Sequence, residues 1–88
     1  MAEVTIYTTK LCPYCLRAKS LLTKKQVDYL EIDVSNDPQT RRFLLDRTGR
    51  HTVPQIFING QPVGGYDDIA ALDRKGELDS LLAAQAPG

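Results

Sequence analysis

Tryptophan is absent, and aromatic residues supply only 7% of the 88 positions. A chain this short buries only about 60–65% of its unfolded surface, so it has room for one modest core and one domain, residues 1–88. Cysteine is scarce too: two residues cannot build a disulfide framework. No apolar run approaches the roughly 20 residues of a membrane span. The opening MAEVTIYTTK lacks a basic stretch followed by an apolar one, so no secretory signal is expected there. Two cysteines without such a signal point to a reducing, cytoplasmic location. Net charge is absent as well, with 11 Lys plus Arg against 11 Asp plus Glu. That argues against nucleic acid or an anionic membrane as the main partner. What remains is ordinary, 42% hydrophobic and 25% charged, which excludes a disordered or collagen-like chain.

The charges are unevenly placed. Through Lys25 there are five bases (Lys10, Arg17, Lys19, Lys24, Lys25) and one acid, Glu3. Arg17, Lys24 and Lys25 read as a solvated helix face. The same basic segment holds both cysteines, as Cys12-Pro13-Tyr14-Cys15, and its other reading is a positive field around them that favours an anionic thiolate or an anionic ligand. In a reducing compartment, a C-x-x-C between a strand and a helix reads as a redox pair. The alternative is half a zinc site, but a structural zinc wants four ligands. His51 is the one further soft ligand, so no metal is expected. His51 itself reads as a solvent-facing loop residue.

Val4 and Ile6 alternate with Glu3, Thr5 and Tyr7, a half-buried strand. Thr8 to Leu11 makes a turn. From Pro13 the apolar spacing becomes helical, with Cys15, Ala18, Leu21 and Leu22 on one face. Pro13 suits a first helical turn, which puts Cys12 at the N-cap and Cys15 one turn in, tucked inward. Val27 to Val34 reads as a second strand, with Leu30, Ile32 and Val34 on one face. Asp37-Pro38 starts a helix that turns Phe43 and Leu44 inward and stops at Gly49. Gln55 to Ile58 is an apolar strand, Asn59-Gly60 a type I′ hairpin turn, and Gln61 to Val63 the return. Gly64-Gly65 breaks that strand. Asp67-Asp68 opens a helix with Ile69 and Leu72 that ends at Gly76. Leu78, Leu81 and Leu82 mark a last short helix, and Ala86-Pro87-Gly88 a frayed tail. The order β-α-β-α-β-β-α-α implies a four-stranded mixed sheet flanked by helices, its first two strands parallel.

Three segments together carry a resemblance. Cys12-Pro13-Tyr14-Cys15, Thr52-Val53-Pro54-Gln55-Ile56-Phe57-Ile58 and Gly64-Gly65-Tyr66-Asp67-Asp68 are similar to the signatures of dithiol glutaredoxins. Arg47-Thr48-Gly49-Arg50 also fits the bacterial members. The resemblance spans nearly the whole chain and implies an α/β thioredoxin-like fold. It implies reduction of protein disulfides and protein–glutathione mixed disulfides, with glutathione as co-substrate. Electrons would come from NADPH through glutathione reductase, and the protein would act as a monomer.

Carried over by position, Cys12 is the nucleophile and Cys15 the resolving cysteine. Tyr14 flanks glutathione, Val53 pairs its backbone with the cysteinyl part, and Pro54 is cis. Thr52 belongs to the same binding segment. Asp67 and Asp68 hold the γ-glutamyl end, and Arg41 meets the glycyl carboxylate. Many members carry a lysine three residues before the first cysteine, where this chain has Thr9. Lys10 is the nearest substitute, and is either a contact to glutathione or the thiolate, or an ordinary exposed lysine. Two other functions stay open: a redoxin fed by thioredoxin reductase, and an iron–sulfur cluster carrier using Cys12 and glutathione across a dimer.

The residues themselves supply physical reasons. A thiol attacks a disulfide only as thiolate. A helix N-terminus favours that anion through unpaired N–H groups and the positive end of the macrodipole. Cys15, among apolar neighbours, should keep its proton. Pro54 reads either as a trans proline at a strand start or as cis, which would turn the Val53 N–H and C=O outward toward an extended ligand. Asp67 and Asp68 stabilise a helix start in any case. A ligand's ammonium group would add a second role. Tyr66 is a packing tyrosine or the lip of a ligand groove.

Overall fold

The computed structural model describes residues 2–84, so the tail Ala86-Pro87-Gly88 lies outside the described residues. Eight elements follow in the expected order: β1 (Val4–Thr8), α1 (Pro13–Lys24), β2 (Leu30–Asp33), α2 (Pro38–Thr48), β3 (Gln55–Ile58), β4 (Gln61–Gly64), α3 (Tyr66–Arg74) and α4 (Glu77–Ala83). The sheet runs β2-β1-β3-β4. β1 and β2 are parallel, and the other two pairings are antiparallel. This is a thioredoxin-like α/β architecture.

The two faces of the sheet are covered differently. Val4, Ile6, Ile56 and Ile58 pack against Ala18 and Leu22 of α1, Ile69 of α3, and Leu78 and Leu82 of α4. On the other face Phe57 meets Val34 and Leu44, with Tyr7, Ile32 and Val53 around them. β3 lies between two strands and under both layers, so all four of its residues are buried. That is why its apolar residues run without alternation. Each isoleucine sealed this way contributes about 1.5–3 kcal/mol of burial.

Local signals set the ends of the elements. Asp37 caps α2 by accepting from the Thr40 N–H at 3.1 Å. Gly49 closes that helix in the left-handed conformation, φ 73°. Asn59 and Gly60 both have positive φ, 53° and 80°, as a type I′ hairpin requires.

Four expectations are corrected. β2 is shorter than Val27–Val34, because it is an edge strand whose one neighbour, β1, begins only at Val4 and pairs from Thr5↔Leu30 onward. Leu30, on the same face as Ile32 and Val34, is 61% exposed, because the packing against α2 involves Ile32 and Val34 and stops short of it. Phe43 does not turn inward with Leu44. It stays 41% exposed and lies across Tyr7 and Phe57, with the Arg47 guanidinium 5.8 Å above its ring. Lys25 is not simply solvated, since it pairs with Asp73 and Asp79 and ties the end of α1 to α3 and α4. Two boundaries also shift slightly: β4 includes Gly64, and α3 opens at Tyr66 rather than at Asp67.

Candidate active site

The chain leaves β1 at Thr8 and turns through Leu11, which is fully exposed and has φ 56°. Cys12 then occupies the N-cap of α1 with extended backbone, and Pro13 begins the helix. Cysteine is an unusual cap, but its sulfur does what a cap must do. It accepts the Cys15 N–H at 3.1 Å, one of the donors a helix start leaves unpaired. A thiolate at this point would receive a charge-assisted hydrogen bond. The Cys12 thiol also faces the Val53 carbonyl at 3.8 Å, across 41 residues of sequence.

Both cysteines are free thiols in very different surroundings. Cys12 is partly exposed, whereas Cys15 is 2% exposed. Burial above all, and then the hydrogen bond with Cys12, push the Cys15 thiol up to about 12. A backbone hydrogen bond with Thr9 and the positive charge of Lys19 pull the other way.

Beside Cys12 lies an open groove of about 300 Å³. Tyr14 forms one wall, from the first turn of α1. Thr52, Val53 and Pro54 form the floor, and the Val53–Pro54 bond is cis. Tyr66, Asp67 and Asp68 close it from the first turn of α3. The Tyr14 and Tyr66 rings, both in its lining, lie 6.4 Å apart between centroids and tilted by 38°, and Arg17 sits 5.2 Å over Tyr14. The structure thus brings together seven of the residues singled out in the sequence.

The two aspartates separate in role. Asp68 accepts the Gly65 N–H at 2.9 Å, reaching back as the N3 residue of a capping box, and pairs with Arg50 at 2.7 Å. The Arg50 hydrogen bond first, and the Gly65 N–H second, hold its carboxyl below the usual range. Asp67 is exposed on the groove rim and has no partner among the described residues. The backbone needs glycine at this corner. Gly64 has φ 114°, and a Cβ there would overlap the Asp68 carboxylate.

Not every candidate reaches the groove. Arg41 is exposed on α2 and lines no part of it. Thr9 and Lys10 lie on the other side of Cys12, where the Lys10 N–H donates to Ser35 Oγ at 2.9 Å. His51 is exposed, as expected. The residue the sequence reading missed is Arg50, the basic side chain of the groove wall. The sequence marks it only within Arg47-Thr48-Gly49-Arg50, without a role at the site, and the left-handed turn at Gly49 just before it is its local structural signal.

A partly exposed thiol at a helix N-terminus, a second thiol buried one turn behind it, and a thioredoxin-like sheet are the arrangement of a thiol–disulfide oxidoreductase. The glutaredoxin family pattern matches residues 4–63. Glutaredoxin 3 of Escherichia coli is 51% identical over 82 residues, 93% of this chain and 99% of that protein. A glutaredoxin of Pseudomonas aeruginosa is 52% identical over 84 residues, 96% of this chain and 100% of that one. Among solved structures, a buckwheat glutaredoxin–glutathione complex superposes with a TM-score of 0.87 at 30% identity, covering 92% of this chain and 76% of that one. The chain belongs to the glutaredoxin family, as a dithiol member closely related to bacterial glutaredoxin 3. Its activity is glutathione-dependent thiol–disulfide oxidoreduction. Among the described residues, no helix is long and apolar enough to cross a membrane, and no group of three His, Cys, Asp or Glu is placed to hold a metal ion.

Proposed function

We propose that the groove between Tyr14, the Val53–Pro54 segment and the start of α3 holds glutathione, with its sulfur presented to Cys12. The observation that carries this reading is the unpaired Asp67 carboxylate on a groove whose Val53 carbonyl faces the Cys12 thiol. An ammonium group is what that carboxylate lacks, and a γ-glutamyl group brings one. The α3 N-terminus and Arg50 suit the carboxylate beside that ammonium. Val53 pairs its backbone with the cysteinyl part, Thr52 and Pro54 shape the floor, and Tyr14 and Tyr66 form the lips. Arg41, outside the groove, meets the glycyl carboxylate. Support also comes from the buckwheat relative, solved as a glutathione complex.

Two routes follow. On a glutathionylated protein, the Cys12 thiolate attacks the glutathione sulfur, and the protein thiol leaves and takes up a proton. A second glutathione thiolate attacks the Cys12 adduct, releasing glutathione disulfide and restoring Cys12. On a protein disulfide, Cys12 forms the mixed disulfide and Cys15 resolves it, leaving Cys12–Cys15 oxidised until two glutathiones reduce it. NADPH supplies the electrons through glutathione reductase. The protein works as a single-domain cytoplasmic monomer, with glutathione as co-substrate and without a metal. An NADPH-coupled assay tests the route of the electrons. Turnover is expected with glutathione and glutathione reductase. Turnover only with thioredoxin reductase would replace this reading with that of a redoxin.

A further inference from the structure

The dithiol route needs something the groove does not supply. Cys15 must give up its proton before it can attack, and the fold buries it. Cys15 lines a second cleft, of about 570 Å³, which also includes Cys12 and shares no lining residue with the groove of Tyr14 and Asp67. Lys19 lines the same cleft. It stands four residues after Cys15 on α1, and therefore on the same helix face, one turn on. A lysine on an exposed helix face would swing freely in water. Lys19 does not: its ammonium is held 3.0 Å from the Glu31 carboxylate of β2, and its side chain is only 25% exposed. Glu31 is itself fixed by the Thr8 hydroxyl, which donates to it at 2.8 Å from the buried end of β1. Three elements thus hold one positive charge beside the resolving thiol.

We propose that Lys19 is a positioning residue for the resolving step, stabilising the Cys15 thiolate as it forms, with Glu31 and Thr8 holding the ammonium in place. This rests on the two-route reading above and adds a residue to its dithiol branch. The step balances without another reactant. Cys15 loses its proton to solvent in the cleft, and its thiolate attacks the Cys12 sulfur of the mixed disulfide. The Cys12–substrate bond breaks as the Cys12–Cys15 bond forms, and the departing thiolate takes a proton from solvent. The other charged and titratable groups around this cleft are Cys12, Lys10, Glu31 and Asp33. Lys19 is the lysine whose charge favours the Cys15 thiolate, and its hydrogen bond to Glu31 raises its own pKa, so it stays a cation wherever Cys12 reacts.

The test needs no glutathione, so it stands apart from the fate of the groove. Reduced protein is mixed with one equivalent of 5,5′-dithiobis(2-nitrobenzoate) and thionitrobenzoate release is followed by stopped flow. The first phase is the attack of Cys12 and the second is its resolution by Cys15. Lys19→Met should slow the second phase by about threefold. A pKa rise of one unit removes about tenfold of the thiolate, and the greater nucleophilicity of a more basic thiol returns part of it. Lys19→Arg should restore the rate. Glu31→Gln, which keeps an acceptor for Lys19 and removes a negative charge, should not slow it. In a Cys12→Ser background, the pH dependence of Cys15 alkylation should show the thiol titrating higher when Lys19 is Met. An unchanged second phase and titration in Lys19→Met would overturn the proposal. So would an equal slowing by Glu31→Gln, which would reduce the pair to a packing contact.

Discussion

Two thiols three residues apart meet different surroundings, and the proposed division of labour follows from that difference. The Cys12 sulfur is partly exposed and faces the Cys15 N–H at 3.1 Å, while the Cys15 side chain packs inward. Cys12→Ser should therefore abolish both routes. Cys15→Ser should retain turnover of a glutathionylated peptide and lose dithiol reduction of a protein disulfide. Parallel assays of the two variants on the two substrates check this. Equal inactivity on the peptide would make the assigned roles wrong. The two aspartates divide as clearly. Asp67→Ala should raise the apparent KM for glutathionylated substrate about tenfold, the scale of one lost charge-assisted contact of ~1.4 kcal/mol, and leave thermal stability nearly unchanged. Steady-state kinetics beside a melting curve would show both. A fall in Tm with no change in KM would make Asp67 a structural residue.

The start of α3 is the element on which the groove depends most. Asp68 holds the Gly65 N–H and the Arg50 guanidinium together, in the space that Gly64 leaves free. Asp68→Ala should cost about 0.5–2 kcal/mol of stability, the range for a lost cap. The folded state holds the Asp68 carboxyl below its ordinary value. Its contribution is therefore present above about pH 4 and lost as pH falls through the folded-state value. Denaturant titrations from pH 6 to pH 2 should show a shallower acid loss in Asp68→Ala than in the unaltered protein. Equal acid slopes would mean that Arg50 and Asp68 do not stay paired in solution.

At the scale of the whole molecule, the buried thiol couples folding to alkaline pH. An unfolded chain loses the Cys15 proton near its ordinary value of 9.0, whereas the folded protein keeps it up to about 12. The stabilisation is complete below pH 9.0 and is lost as pH rises toward the folded value. In that window the unfolded state binds fewer protons, so stability falls by about 1.4 kcal/mol per pH unit. Denaturant midpoints of the reduced protein between pH 8 and pH 11 should show this slope. Cys15→Ala should lack that component, and so should the oxidised protein, in which neither thiol can titrate. A reduced protein with the same alkaline slope as Cys15→Ala would place the Cys15 thiol in contact with water.

What the sequence determined by itself was local. The cap at Cys12, the stop at Gly49 and the Asn59-Gly60 turn each depend on neighbours within a few residues, which impose the same dihedral or donor needs in any fold. The order of strands and helices followed from periodicity, and three short segments supplied the candidate residues, of which Tyr14, Thr52, Val53, Pro54, Tyr66, Asp67 and Asp68 line one groove. What the tertiary structure decided was every pairing between remote positions. Arg50 reaches Asp68 across 18 residues, and that contact separates Asp68 from Asp67, which no spacing could do. Leu30 and Phe43 carry apolar side chains that the pattern would bury, yet Leu30 lies outside the cluster around Val34 and Leu44, and Phe43 lies against Tyr7 and Phe57 with much of its ring exposed. By sequence, Lys25 reads as part of a solvated helix face, and Lys19 as one of the bases near the cysteines. Only the packing of β2, α3 and α4 against that helix showed that each is held by an acid from another element, because charge pairing depends on where side chains meet in space rather than along the chain.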